Sequence, residues 1–264
     1  MEGRRPEAQV GIMYNIGKSL RLGHIVKDDN RTLIVALDHG FMGIIQGLED
    51  IEKVVSKVIA GGADAILINF GIVKKVAHLV SRKIGIVLSI PSDPQYVELA
   101  AKIGVDAVKT TYFGRIPLNE EDYARFSAVA RACEEWGIPY IVELVPSDEK
   151  GRIMYELELV KKAARIGAEL GGDIVKTVYV GSINEYRNVI ETCPVPIVVM
   201  GGPKVGIEKE FLQMIKNSIE AGAIGGAIGR NIWQYKDPEK MTKAISKIIH
   251  GDATVEEALK ILES

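Results

Sequence analysis

The stretch "ELELVKKAARIGAELGGDIVKTVYVG", residues 156–181, changes its period part-way along. Its first half carries apolar residues three and four apart, as a helix with one buried face does. That half stops at a glycine pair suited to a left-handed C-terminal cap. The second half, "DIVKTVYV" (173–180), is a β-rich apolar run, the pattern of a parallel strand covered on both faces. Seven more such runs flank it: "TLIVALD" (32–38), "AILINF" (65–70), "GIVLSI" (85–90), "AVKTTYF" (107–113), "PYIVELV" (139–145), "PIVVMG" (196–201) and "GGAIG" (225–229). Amphipathic stretches ending on glycine lie between them, among them "LEDIEKVVSKVIAGG", "EEDYARFSAVARACEEWG" and "EKEFLQMIKNSIEAG". "DPEKMTKAISKIIHG" adds a helix after the eighth run, with Asp237 as N-cap and Pro238 at the first helical position. Eight strand–helix pairs without a composition break predict one α/β domain, a single (β/α)8 TIM barrel over residues 1–264.

Composition narrows the function. The chain has 264 residues, 47% hydrophobic and 26% charged, with a formal net charge of -2. That balance gives no general grip on nucleic acid or on an anionic membrane. No apolar run approaches the ~20 residues needed to span a bilayer. Residues 1–12 read as a loose tail, and their positive charge lacks the apolar stretch of a secretion signal. Cys133 and Cys193 stand far apart without metal-ligand spacing, so reduced thiols and a cytoplasmic location are expected.

Barrel chemistry sits at the C-terminal ends of strands. Those ends carry Asp38, His39, Asn69, Ser89, Lys109, Glu143, Lys176, Gly201, Gly202, Lys204, Gly229 and Arg230. Lys176 is the most informative, an ammonium where valine would be expected. If it faces inward, Ile174 and Val178 share its face. Burial disfavours its charged form, and a neutral amine can attack a ketone to give an iminium that stabilises a carbanion. Alternatively it snorkels, or pairs with a buried carboxylate such as Asp38 or Glu143. Asp38 can orient a hydroxyl, pair with the lysine or move protons, unless it merely makes an Asx-turn. "GGPK" (201–204) and "GRN" (229–231) follow the seventh and eighth runs, where barrel enzymes often cradle phosphate. Gly201, Gly202 and Gly229 would present backbone N–H groups there, and Lys204 and Arg230 would add charge.

At "ARIGAELGGDIVKTVYVG", "VPIVVMGGPK", "FLQMIKNSIEAGA" and "IGRNIWQ" the chain resembles the archaeal-type class I fructose-bisphosphate aldolase family. It is most similar to the branch containing 2-amino-3,7-dideoxy-D-threo-hept-6-ulosonate synthase. The resemblance runs from "NIGKSLRLGHI" to "DATVEEALKIL". It implies a TIM barrel, a Schiff-base lysine matching Lys176 and an aspartate matching Asp38. It also implies a sugar-phosphate site on Gly201, Gly202, Lys204, Gly229 and Arg230, and a ring-built homo-oligomer, commonly a decamer. No metal or cofactor is called for, because the iminium is the electron sink.

The chain departs from the family pattern in three places. Val145, in "ELVPSDEKG", stands where relatives carry a proton-donating tyrosine, and the arginine after the proline is absent. Glu143, one step down the same face, is the expected substitute, with a raised pKa beside a neutral amine; Tyr112 and Tyr179 are others if they turn inward. The loop after the third run is short. Lys109 has no counterpart, and is expected to act electrostatically on Lys176 or to bind a substrate anion, with its own Schiff base a distant third. The expected function is a carbon–carbon lyase acting on a phosphorylated ketose such as fructose 1,6-bisphosphate, or on the matching aldehyde. A transaldolase-type synthase, a sugar-phosphate binding protein with reduced catalysis and an acyl transferase are the rivals.

Overall fold

Eight parallel strands close into a ring in sequence order. They are β1 (Thr32–Ala36), β2 (Ala65–Asn69), β3 (Gly85–Ser89), β4 (Ala107–Gly114), β5 (Tyr140–Pro146), β6 (Ile174–Thr177), β7 (Ile197–Met200) and β8 (Gly225–Ile228). The computed structural model describes residues 15–43, 45–81 and 83–264; the tail expected over 1–12 lies outside them. The helices are α1 (Ile16–Ile25), α2 (Ile51–Ala60), α3 (Phe70–Val80), α4 (Gln95–Ile103), α5 (Glu120–Trp136), α6 (Leu157–Glu169), α7 (Ile183–Glu191), α8 (Glu208–Ala221), α9 (Arg230–Trp233), α10 (Pro238–Gly251) and α11 (Val255–Glu263). Asp237 caps α10 through its side chain with Pro238 in the first turn, as the sequence predicts. Among the described residues no helix is long and apolar enough to cross a membrane.

Strand alternation divides the apolar side chains into two cores. Ile34, Ala36, Leu67, Val87, Ile141, Ile174 and Val198 fill the barrel, and Ile25 of α1 closes its lower end. Leu33, Val35, Ile66, Val142 and Val175 face the helices. Inward residues two places further along β4, β5 and β6 are Lys109, Glu143 and Lys176, so the same alternation that packs the core raises the chemistry above it. Val178 does not follow: β6 ends at Thr177, and Val178 packs in the outer core.

Three aspartates at the lower rim repeat one device. Asp64, Asp106 and Asp173 each precede an even-numbered strand and accept the backbone N–H of the strand before it. The bonds come from Leu33, Ile86 and Tyr140 at 2.6, 2.7 and 2.8 Å. Each carboxylate also meets a basic group, His250 on Asp64, His24 on Asp106 and Lys18 on Asp173. The ring closes at β8 on β1, with Gly225 opposite Thr32. A Cβ on Gly225 would stand 1.8 Å from the Thr32 carbonyl oxygen, so only glycine fits this seam.

Candidate active site

A cavity of about 590 Å³ opens at the C-terminal ends of the strands. Asp38, Lys109, Glu143 and Lys176 line its floor, all between 3% and 7% exposed. Buried charges must be paired, and these are. Lys176 Nζ lies 2.6 Å from Glu143 Oε1, its register partner across β5 and β6. Lys109 Nζ donates to Asp38 Oδ2 at 2.8 Å and to Glu143 Oε2 at 3.1 Å. Thr111 takes a hydrogen bond from Lys109 and donates to Glu143 Oε2 at 2.8 Å. Two anions and two cations thus share one buried network in which Glu143 bridges both lysines.

The titration of the network follows from this pairing. Burial works against the Lys109 ammonium, but Glu143 and Asp38 outweigh it and push its pKa up to about 12. It is a fixed cation rather than a free amine. Burial raises Asp38, yet Lys109 and then Lys176 hold it well below the usual carboxylate range. Glu143 likewise is raised by burial and lowered on balance by Lys176 and Lys109. This corrects the expectation of a raised acid at Glu143: its neighbours are ammonium groups, and the resting residue is a carboxylate. Asp38 pairs with Lys109 rather than Lys176, and its backbone carbonyl is held by Asn69 at 3.1 Å.

Other expectations also change. Tyr112 hydroxyl donates to the Arg115 carbonyl and its ring packs edge-on against Phe126. Tyr179 meets Tyr186 edge-on and its hydroxyl receives a hydrogen bond from Asn217. Both lie outside the cavity wall, so neither replaces the absent tyrosine. Val145 is fully buried in the outer core. Lys204 is exposed, and its ammonium donates to the Gln234 carbonyl at 2.6 Å, off the wall. Gly201, Gly202, Gly229 and Arg230 do line the cavity. At Gly202 (φ 66) the space ahead of the missing side chain is open, which leaves the backbone approachable. Arg230 Nε is buried with no hydrogen-bond partner among the described residues.

Thr111 and Asn231, which the sequence reading did not single out, complete the site together with His39, already placed at a strand end. Thr111 shares the face of Lys109 two places on, a spacing that could have flagged it. His39 lines the cavity with Nδ1 at 3.7 Å from Asp38 Oδ1, its ring edge-on to Trp233. Burial lowers its pKa; Asp38 acts the other way, and Lys176, Arg230 and Lys109 add to the lowering. Asn231 ties the two glycine loops together. Its Nδ2 donates to the Gly201 and Pro203 carbonyls at 2.8 and 3.0 Å, while Oδ1 accepts from Val205 N at 2.8 Å. Replacing Asn231 with alanine frees both loops. KM for a phosphorylated substrate is expected to rise about tenfold, with a smaller change in kcat, in steady-state kinetics.

A family model described as DeoC/LacD family aldolase matches residues 32–235. The chain belongs to the DeoC/LacD aldolase family. An uncharacterized aldolase of Saccharolobus solfataricus is 35% identical, over 94% of this chain and 100% of that protein. A 2-amino-3,7-dideoxy-D-threo-hept-6-ulosonate synthase of Archaeoglobus fulgidus is 33% identical, over 94% and 97%. Among solved structures, an archaeal fructose 1,6-bisphosphate aldolase superposes with TM-score 0.77 at 25% identity, covering 89% of this chain and 99% of that one. In a second solved structure, also of an archaeal fructose-1,6-bisphosphate aldolase, the catalytic lysine is covalently bound to the carbinolamine intermediate of the substrate. It matches with TM-score 0.77 at 25% identity, over 88% and 99%. This family member is an enzyme of the class I aldolase type.

Proposed function

We propose that Lys176 forms a Schiff base with a phosphorylated ketose and that the enzyme reversibly breaks or joins the adjacent carbon–carbon bond. The observation that carries this reading is Lys176 Nζ lining a cavity 2.6 Å from a bridging carboxylate. Glu143 Oε1 is placed to take a proton from the ammonium as the ketone arrives, while Lys109 and Thr111 hold its other oxygen. The freed amine adds to the ketone carbon, the C=O π pair moves to oxygen, and one amine hydrogen passes to that oxygen to give the carbinolamine. Glu143 returns the proton to the carbinolamine hydroxyl, which leaves as water, and one hydrogen stays on the iminium nitrogen. Asp38, fixed by Lys109, would position the substrate and move the proton of the carbon–carbon step. Gly201, Gly202, Gly229 and Arg230 would hold the phosphate.

The carbinolamine-bearing neighbour supports the same covalent step here. A transaldolase-type synthase shares that intermediate, and the Archaeoglobus relative favours it as the second reading. A binding protein with reduced catalysis would have no use for two carboxylates and a second lysine buried around Lys176. We also read the protein as cytoplasmic, from its two isolated cysteines, and as a homo-oligomer, as its family resemblance suggests.

Incubation with dihydroxyacetone phosphate followed by borohydride tests the covalent step by peptide mass. A reduced adduct on Lys176 is expected. An adduct on Lys109, or none across a panel of phosphorylated ketoses, overturns the assignment.

A further inference from the structure

The cavity has two unlike ends. At the β7–β8 side stand Gly201, Gly202, Gly229 and Arg230, and the buried Arg230 Nε has no partner among the described residues. Across the barrel, past Lys176, the wall carries Ile90 after β3, Phe113 near the end of β4 and Ile153 in the segment after β5, with Ser89, Thr111 and Gly151 beside them. Ile90 is buried; Phe113 is 54% exposed and is one of the large apolar side chains that the fold leaves open. Ile153 is held over the cavity by an antiparallel bridge to Ser147.

The cations of the neighbouring segments are already paired, and neither Arg115 nor Arg152 is part of the wall. Arg115 pairs with Glu149, Arg152 with Asp148 at 2.9 Å, and Lys109 with two carboxylates. Lys150, in the turn between Ser147 and Ile153, is exposed and is not part of the wall. A phosphate dianion placed there would lose water against isoleucine and phenylalanine without gaining a cation. An alkyl chain would gain by leaving water.

We propose that Ile90, Phe113 and Ile153 form the subsite for the aldehyde partner, and that this partner is an uncharged aldehyde with an apolar chain. The ketose formed would carry its phosphate on the donor half alone. This rests on the Schiff-base reading and names its second substrate class. In the synthetic direction a base removes a C–H proton from the iminium to give an enamine. The enamine carbon then donates its electron pair to the aldehyde carbon, the C–C bond forms, and the alkoxide takes back that proton. Hydrolysis of the iminium releases the product.

Condensation rates with dihydroxyacetone phosphate as donor test this, using butanal, glyceraldehyde and glyceraldehyde 3-phosphate as acceptors. For the natural chain kcat/KM is expected to be at least about tenfold higher for butanal than for glyceraldehyde 3-phosphate. Ile153→Arg is expected to narrow or invert that ratio while leaving the borohydride adduct with the donor alone unchanged. Equal rates, or a preference for the phosphorylated aldehyde, overturn the subsite. An adduct on Lys176 with such a reversed preference removes this inference and leaves the covalent reading standing. Failure to form any adduct removes both.

Discussion

The Lys176→Met enzyme is expected to turn over more than about 10,000-fold more slowly than the natural one, and to lose the borohydride adduct entirely. Methionine keeps the volume and the apolar stem but has no lone-pair nitrogen to add to a ketone. Lys176→Arg separates the covalent role from the charge. A guanidinium still pairs with Glu143 Oε1, which the lysine meets at 2.6 Å, yet it cannot act as the nucleophile. Both variants should therefore fall alike. Lys109 still binds Asp38 and Glu143 in each, so far-ultraviolet circular dichroism should match the natural protein. Activity of the arginine variant within tenfold of the natural enzyme would show that charge, not covalency, was at stake.

Lys109→Met is expected to produce the largest loss of stability, about 3–5 kcal/mol in chemical denaturation. At roughly 2–4 °C per kcal/mol, that is a drop in Tm on the order of 10 °C. The natural network balances Asp38 and Glu143 against Lys109 and Lys176; without Lys109 two buried carboxylates share one ammonium. Lys109→Met combined with Glu143→Gln restores neutrality between Asp38 and Lys176, and should recover part of the loss. The pH dependence has a definite sign. Asp38 and Glu143 have folded pKa values below their ordinary ones. Their contribution is present above the unfolded carboxylate pKa and is lost as pH falls through the lowered values. The Lys109 pKa is raised to about 12, so its contribution is full below the unfolded value of about 10.4 and fades as pH climbs through about 12. The deficit of the single variant should thus be greatest near neutrality and shrink in acid, where the carboxylates of both proteins take up protons. A deficit that is independent of pH would mean that Lys109 packs rather than pairs.

The barrel was legible because the strands are β-rich, mostly apolar runs and the helices between them show their own period. Asp38, Lys109, Glu143 and Lys176 could be placed at one end by alternation alone. A buried carboxylate partner for Lys176 was also foreseen, and Glu143 is that partner, but which carboxylate serves which lysine could not be read. Whether Glu143 is acid or carboxylate depends on Lys109, which is 34 positions earlier in the chain and is brought alongside by strand pairing. Alternation also lapses where the ladder stops: β6 ends at Thr177, so the side of Val178 and Tyr179 is set by packing. Lys204 looked like an anion ligand because it follows a glycine pair. The loop turns its ammonium onto the Gln234 carbonyl, a contact between segments 30 positions apart. The lower-rim aspartates were visible in "GADAIL", "GVDAVK" and "GGDIVK", but their job as acceptors for neighbouring strands needs the ring itself.

The seam at Gly225 bears on how this enzyme can diversify. Backbone presses on backbone there, and the two strands it joins run on into Asp38 and into Gly229–Arg230. The span from Asp38 to Gly229 and Arg230 is consequently gauged by main-chain atoms that no exchange of side chains can lengthen. The opposite wall is different, since Phe113 and Ile153 can vary without touching that gauge. If the proposed subsites hold, descendants of this chain have room for new acceptors on one flank only, and their donors should stay alike.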